Sequence, residues 1–177
     1  MKIEWAAALI LAFAPLAAQA EVVERTEAGF RTKKTVEVAA SPDKAYAALG
    51  QIGSWWDDAH TYTGKASNMT VKLEAGACFC EALPGGGVRH GVVALAWPDQ
   101  HTLRVEAALG PLQNEGAAGA LTFQISPKTG GGSTVTVTYH VGGMRAAAAK
   151  AFADPVDEVI GTQAGRFGKF VDTGKPD

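Results

Sequence analysis

The chain has few of the residues that announce chemistry most directly. Of its 177 residues only two are cysteine and four histidine. Two cysteines cannot build a disulfide framework, and a zinc site would need further ligands beyond them. Neither sign of charge dominates: 16 Lys and Arg stand against 18 Asp and Glu, with no basic run or stripe. A nucleic acid is therefore not the expected partner, because phosphate binding leaves clustered cations. No apolar run reaches the ~20 residues that a membrane-spanning helix needs. There is no internal repeat, no nucleophile–base triad, and no glycine-rich loop opening a helix. Gly85-Gly86-Gly87 and Gly130-Gly131-Gly132 join strand-like segments instead, so no phosphate cradle and no cofactor is indicated.

What is present begins with an address. Lys2, the apolar stretch from Trp5 to Leu16 and the small residues of Ala18-Gln19-Ala20 form a secretory signal pattern over residues 1–20. The protein is therefore expected to be exported, periplasmic or secreted, with the mature chain starting near Glu21. No cysteine follows the cleavage site to carry a lipid, so no membrane anchor is expected once the signal is removed. Residues 21–29 then read as a lead-in, 30–172 as one domain and 173–177 as a short tail. Nothing in the sequence specifies an oligomeric state.

The domain is mostly strand-like. Val36 and Val38 alternate with Thr35 and Glu37, the period of a half-buried strand. Ser41-Pro42-Asp43 starts a short helix, with serine as cap and proline in its first turn. Gly50 and Gly53 weaken that helix before Trp55-Trp56 and a loop holding Asp57, Asp58 and His60. Strand patterns follow at Met69–Leu73, Ala77–Leu83, Val88–Trp97, Leu103–Leu109, Leu121–Ile125 and Val135–Val141. Tight turns such as Pro84-Gly85-Gly86-Gly87 join them, so the sheet is expected to be antiparallel.

A long helix closes the chain. Asp154-Pro155 supplies a cap and a first-turn proline, and Val156, Val159, Ile160, Ala164, Phe167 and Val171 make one apolar stripe. The alanine-rich stretch Arg145–Phe152 reads as a helical turn or gate before it. Gly161, Gly165 and Gly168 lie along one edge, each costing ~1 kcal/mol relative to alanine. Close packing or space for a ligand would explain them. Together these features predict an α+β fold: a curved antiparallel sheet of about seven strands around a long C-terminal helix, with short helices after the first strand.

That order of elements, together with Ser41-Pro42-Asp43-Lys44-Ala45-Tyr46, Trp55-Trp56, Gly76-Ala77-Cys78-Phe79-Cys80-Glu81, Leu109-Gly110-Pro111-Leu112-Gln113 and Pro155-Val156-Asp157, resembles the START-like SRPBCC superfamily over residues 30–172. The similar branch contains relatives of the activator of the heat-shock ATPase and polyketide cyclases. The resemblance implies a helix-grip fold, with a cavity between helix and sheet that takes a small apolar molecule. Its expected lining is Trp55 and Trp56 from the helical break, Phe79, Val105, Leu121, Phe123 and Tyr139 from strands, Met144, and Ile160 and Phe167 from the helix. The fold implies no reaction by itself.

Three groups of residues invite a sharper assignment. Cys78 and Cys80 fit two small buried thiols best. Residues two apart on a strand sit ~6.6 Å from Cα to Cα, beyond the range a disulfide prefers, and a metal has at most His90 as a third ligand. Glu81 and His90 are the one acid–base pair that a hairpin would bring together. If Phe79 points inward, Glu81 does too, and a buried carboxyl beside a histidine is a catalytic candidate. If the cysteines point inward, the pair is a surface contact. Asp57, Asp58 and His60 have ligand chemistry without metal-site spacing and read as a solvated loop; His101 and His140 read as surface residues. The expected function is binding or carriage of a small hydrophobic molecule. A cyclase- or dehydratase-like enzyme using Glu81 and His90 is one alternative, and a protein-interaction module another.

Overall fold

The computed structural model describes residues 21–177, so the export signal expected at residues 1–20 lies outside the described residues. Eight strands run Glu21–Thr26 (β1), Gly29–Val38 (β2), Met69–Thr70 (β3), Cys78–Leu83 (β4), Gly86–Trp97 (β5), Thr102–Ala107 (β6), Ala118–Pro127 (β7) and Ser133–Gly142 (β8). All pair antiparallel in the order β1-β2-β8-β7-β6-β5-β4-β3. Hairpins build the run from β4 to β8. The pairing of β2 with β8, from Phe30 opposite Val141 to Val38 opposite Ser133, joins the two ends of the domain. The sheet is α+β in its company: helices Pro42–Leu49 (α1) and Ile52–Trp55 (α2) follow β2, and a long helix Ala146–Thr173 (α3) ends the chain. This is the expected helix-grip fold.

The alternation in sequence is the cause of the layering. Leu121, Phe123 and Ile125 of β7, and Val135, Val137, Tyr139 and Val141 of β8, are buried on the face that α3 covers. Ser41 caps α1 by accepting from the Lys44 amide. Trp55 of α2 then sits between the layers, its ring 5.0 Å from that of Phe167 and 6.1 Å from that of Phe123. Burying a ring of this kind contributes about 1.5–3 kcal/mol. An exposed ion pair such as Lys128–Glu37 contributes roughly 0.2–1 kcal/mol, so ring packing sets where the helix lies. Asp172 near the end of α3 accepts from the Ala39 and Ala40 amides just past β2, which pins the helix lengthwise.

Three elements differ from expectation. Residues 21–26 form β1 against β2, which raises the strand count to eight. The Met69–Leu73 pattern yields only the two residues of β3, paired with Glu81 and Cys80. The long helix does not start at Asp154: it begins at Ala146, with Arg145 as cap, and carries Pro155 inside it. Proline in a helix interior costs ~3 kcal/mol, but the preceding alanines are the best helix formers and bury Ala148, Ala149 and Ala153. At ~1.5 Å per residue α3 is about 42 Å long.

Gly165 and Gly168 on the glycine edge have different surroundings, and neither is required by close packing. A Cβ on Gly168 would meet Val36 at 3.5 Å, ordinary packing contact against β2, whereas at Gly165 nothing lies within 4 Å. Gly168→Ala should therefore remove a helix cost without a clash, raising the unfolding free energy by about 0.5–1 kcal/mol. Gly91→Ala on β5 is the opposite case, since its Cβ would sit 2.5 Å from the Glu106 carbonyl oxygen. It should lower stability by about 1–3 kcal/mol. Urea unfolding of both variants checks the pair; two shifts of the same sign would contradict this packing.

Candidate functional site

The site starts from the direction of one strand. On β4, Phe79 and Glu81 are each 1% exposed, while Cys78 and Cys80 are only half-buried on the other face. Phe79 thus points inward and carries Glu81 with it, against the preference of a charged group for water. The turn is tighter than the four residues expected, for Leu83 already pairs with Gly86 across Pro84-Gly85. Gly85 has φ 75°, which suits the third position of a proline-led turn. Glu81 consequently faces Val88 in the ladder, not His90. The register then shifts, with Phe79 opposite Gly91 and Cys80 opposite Arg89, leaving His90 as the extra residue of a β-bulge. The bulge brings His90 Nε2 to 3.0 Å from Glu81 Oε2.

The same distortion overturns the expectation for the cysteines. Cys78 and Cys80 are joined as a disulfide, with Cα atoms 5.4 Å apart. The register shift between Phe79 and Cys80 bends the strand, so the ~6.6 Å spacing of a regular strand does not apply.

Glu81 is buried as an ion and fully supplied with donors. Its Oε1 accepts from the Thr63 amide and the Thr63 hydroxyl, both at 2.7 Å; its Oε2 accepts from the Tyr62 amide at 3.1 Å and from His90. Burial alone would raise the pKa of this carboxyl. The hydrogen bonds from Thr63, Tyr62 and His90 outweigh burial and hold it below the usual carboxylate value. A carboxylate can only accept, so His90 must donate from Nε2. The His90 ring itself is packed between Phe79, 5.1 Å away, and Tyr62, 5.8 Å away.

The loop after Trp56 is exposed at Asp58, Ala59 and His60, as a solvated loop would be, but specific hydrogen bonds hold it. Asp57 caps its short turn by accepting from the Ala59 amide, and Asp58 accepts from the Ala66 amide at 2.6 Å. Gln163, 2% exposed on the apolar stripe of α3, ties this loop to the helix. Its Oε1 accepts from the Asp57 amide at 2.9 Å and its Nε2 lies 3.0 Å from His60 Nδ1. Trp56 completes the loop by donating from its indole nitrogen to the His60 carbonyl.

Between this loop and α3 lies a cavity of about 530 Å³. The helix contributes Phe152, Pro155, Val156, Val159 and Ile160; the loop contributes Trp56, Ala59, His60, Thr61 and Tyr62. His90 and the segment Leu109, Gly110, Pro111 and Asn114 close the remaining sides. Tyr139 braces that segment from below, its hydroxyl donating to the Ala107 carbonyl and accepting from the Leu109 amide. Among the described residues, no Lys, Arg, Asp or Glu lines this cavity, and no three His, Cys, Asp or Glu side chains come together to hold a metal.

Of the residues expected to line a cavity, Trp56 and Ile160 do so. Trp55, Phe79, Val105, Leu121, Phe123, Tyr139, Met144 and Phe167 lie in the packed core beneath it. Large rings fill the centre of the helix–sheet space, and the opening is displaced toward the end of α3 that holds Pro155. His60, Tyr62, Asn114, Phe152, Val156, Val159 and Gln163 were not assigned to a site from sequence. Gln163 had a visible signal, being a polar residue on the apolar stripe between Ile160 and Phe167. His101 is more engaged than a surface residue, with Nε2 2.7 Å from Asp43, while His140 is exposed on the outer face of β8.

No protein-family model and no curated protein matches the chain by sequence. Solved structures do match in shape. CalU16 from Micromonospora echinospora aligns at a TM-score of 0.58 with 15% identity, over 91% of this chain and 87% of that one. A protein from Rhodobacter sphaeroides aligns at 0.54 with 18% identity, over 84% and 94%. Truncated norcoclaurine synthase from Thalictrum flavum aligns at 0.51 with 15% identity, over 90% and 98%. At these identities the likeness establishes the shared fold.

Since the folded pKa of Glu81 lies below its unfolded value, its contribution to stability is present above the unfolded pKa and is lost as pH falls through the folded one. Glu81→Gln sets an amide N–H against groups that are themselves donors. It should cost about 1–3 kcal/mol at pH 7, with the gap to wild type closing towards pH 3. A gap that stays constant with pH in chemical denaturation would contradict an ionised Glu81.

Proposed function

We propose that the chain binds or carries a small, mostly apolar molecule in the cavity between α3 and the loop of Trp56 to Tyr62. What supports this is the lining: a volume of about 530 Å³ walled by aliphatic and aromatic side chains, with a few polar groups held in place by their neighbours. The exported location expected from residues 1–20 belongs to the same proposal. An exported chain would not meet a cytosolic ATPase, which weighs against a protein-interaction role of the heat-shock-activator kind.

A specific observation favours a second function. His90 stands in the cavity wall with its Nε2 held by a buried carboxylate, the arrangement that orients a histidine for general-base work. In a cyclase- or dehydratase-like reaction His90 would take the proton and Glu81 would only position it, because all four acceptor directions of Glu81 are already occupied.

The binding function is tested with the protein purified without detergent. Native mass spectrometry should show co-purified apolar mass, or, after delipidation, the neutral probe N-phenyl-1-naphthylamine should bind saturably with stoichiometry near one. Val159→Trp, which places an indole into the cavity, should reduce probe affinity at least tenfold while leaving the thermal midpoint within a few degrees. No adduct and no saturable probe binding in wild type would overturn the proposal.

A further inference from the structure

We infer that the ligand is a neutral hydroxyl compound, phenolic, enolic or alcoholic, recognised by two histidines whose proton positions are set from behind; this rests on the cavity being a binding site. For each ring the deduction runs through the hydrogen-bond partner on the side away from the ligand.

His90 is the clearer case. Glu81 is ionised and can only accept, so the contact at 3.0 Å makes Nε2 the protonated nitrogen of His90. In the neutral ring Nδ1 then carries a lone pair. Among the described residues no protein group bonds to that nitrogen, although the ring is 5% exposed and lines the cavity. An acceptor with no protein donor in an apolar wall is costly to leave dry and is suited to a ligand O–H.

His60 is set the other way round. The Asp57 amide donates to Gln163 Oε1, which identifies the other end of that amide as the N–H₂ group. Gln163 Nε2 therefore donates to His60 Nδ1 at 3.0 Å, and the neutral His60 ring carries its proton on Nε2. The Asp57 carboxylate lies further off, 3.6 Å from the same Nδ1, and its other oxygen is committed to the Ala59 amide. His60 thus presents a donor and His90 an acceptor. With no charged side chain in the lining, an anionic or cationic ligand would find no counter-ion. A group that both gives and takes a hydrogen bond while staying neutral is a hydroxyl.

Four probes of one shape separate the possibilities at about pH 8, above the ordinary imidazole range: naphthalene, 2-methoxynaphthalene, 2-naphthol and 2-naphthoate. Binding is measured by displacement of N-phenyl-1-naphthylamine. 2-Naphthol should bind about 3–10-fold tighter than 2-methoxynaphthalene, which can accept but not donate. 2-Methoxynaphthalene in turn should exceed naphthalene by about 2–5-fold, and 2-naphthoate should be the weakest of the four. His90→Phe should erase the first difference. His60→Phe, compared at a native thermal midpoint because Gln163 Nε2 loses its acceptor, should erase the second while keeping the first. Equal binding of naphthalene, 2-methoxynaphthalene and 2-naphthol overturns the inference and leaves the cavity as a plain apolar site. Tightest binding of 2-naphthoate overturns it too, by showing a charged histidine. Failure of every probe, N-phenyl-1-naphthylamine included, removes the binding site itself.

Discussion

A carboxylate taken out of water must be given its hydrogen bonds back, and Glu81 receives two from Thr63, one from Tyr62 and one from His90. Each donor belongs to a part of the molecule outside the regular strand ladder. The two amides are in the connection between Trp56 and β3, and the histidine is the unpaired residue of a bulge in β5. One buried charge therefore holds a loop, a strand irregularity and a cavity wall in a single arrangement. Removing the charge would leave the Tyr62 and Thr63 amides and His90 Nε2 without a partner inside the protein, while the Thr63 hydroxyl would keep the Lys65 carbonyl.

The helix supplies the complementary constraint. Phe167 packs on Trp55 and Phe123, so the centre of the helix–sheet space is solid. Gln163, one turn earlier, is the only polar residue buried in α3 and spends both ends of its amide on the loop. From Ile160 toward Pro155 and Phe152, the helix faces the cavity, with Trp56 and Tyr62 in its other wall. Loop, bulge and helix thus meet at the apolar cavity.

Much of this was legible from residues and some could not be. Alternation in β7 and β8, the cap at Ser41 and the stripe of α3 determine the layers, because each is a local pattern with one physical solution. The alanines before Asp154 misled in the other direction. A proline after a good cap looks like a helix start, and only burial of Ala148, Ala149 and Ala153 outweighs its cost. Glu81 and His90 were recognisable as partners by chemistry, but their geometry depended on a two-residue turn and a bulge that no spacing rule reveals. The Cys78–Cys80 bond depends on that same irregularity. Trp55 and Trp56 are adjacent and alike, and both are buried, yet only Trp56 reaches the cavity wall; tertiary position alone separates them.

The consequence of an ionised Glu81 for the histidine beside it can be observed without any ligand. A long-range ¹H–¹⁵N spectrum of the imidazole rings, recorded at mildly alkaline pH, reports which nitrogen of each ring carries the proton. His90 should appear protonated on Nε2 alone, and in Glu81→Gln that preference should weaken. A wild-type His90 protonated on Nδ1 alone would contradict the charge on Glu81, and with it the organisation of the loop and cavity around that carboxylate.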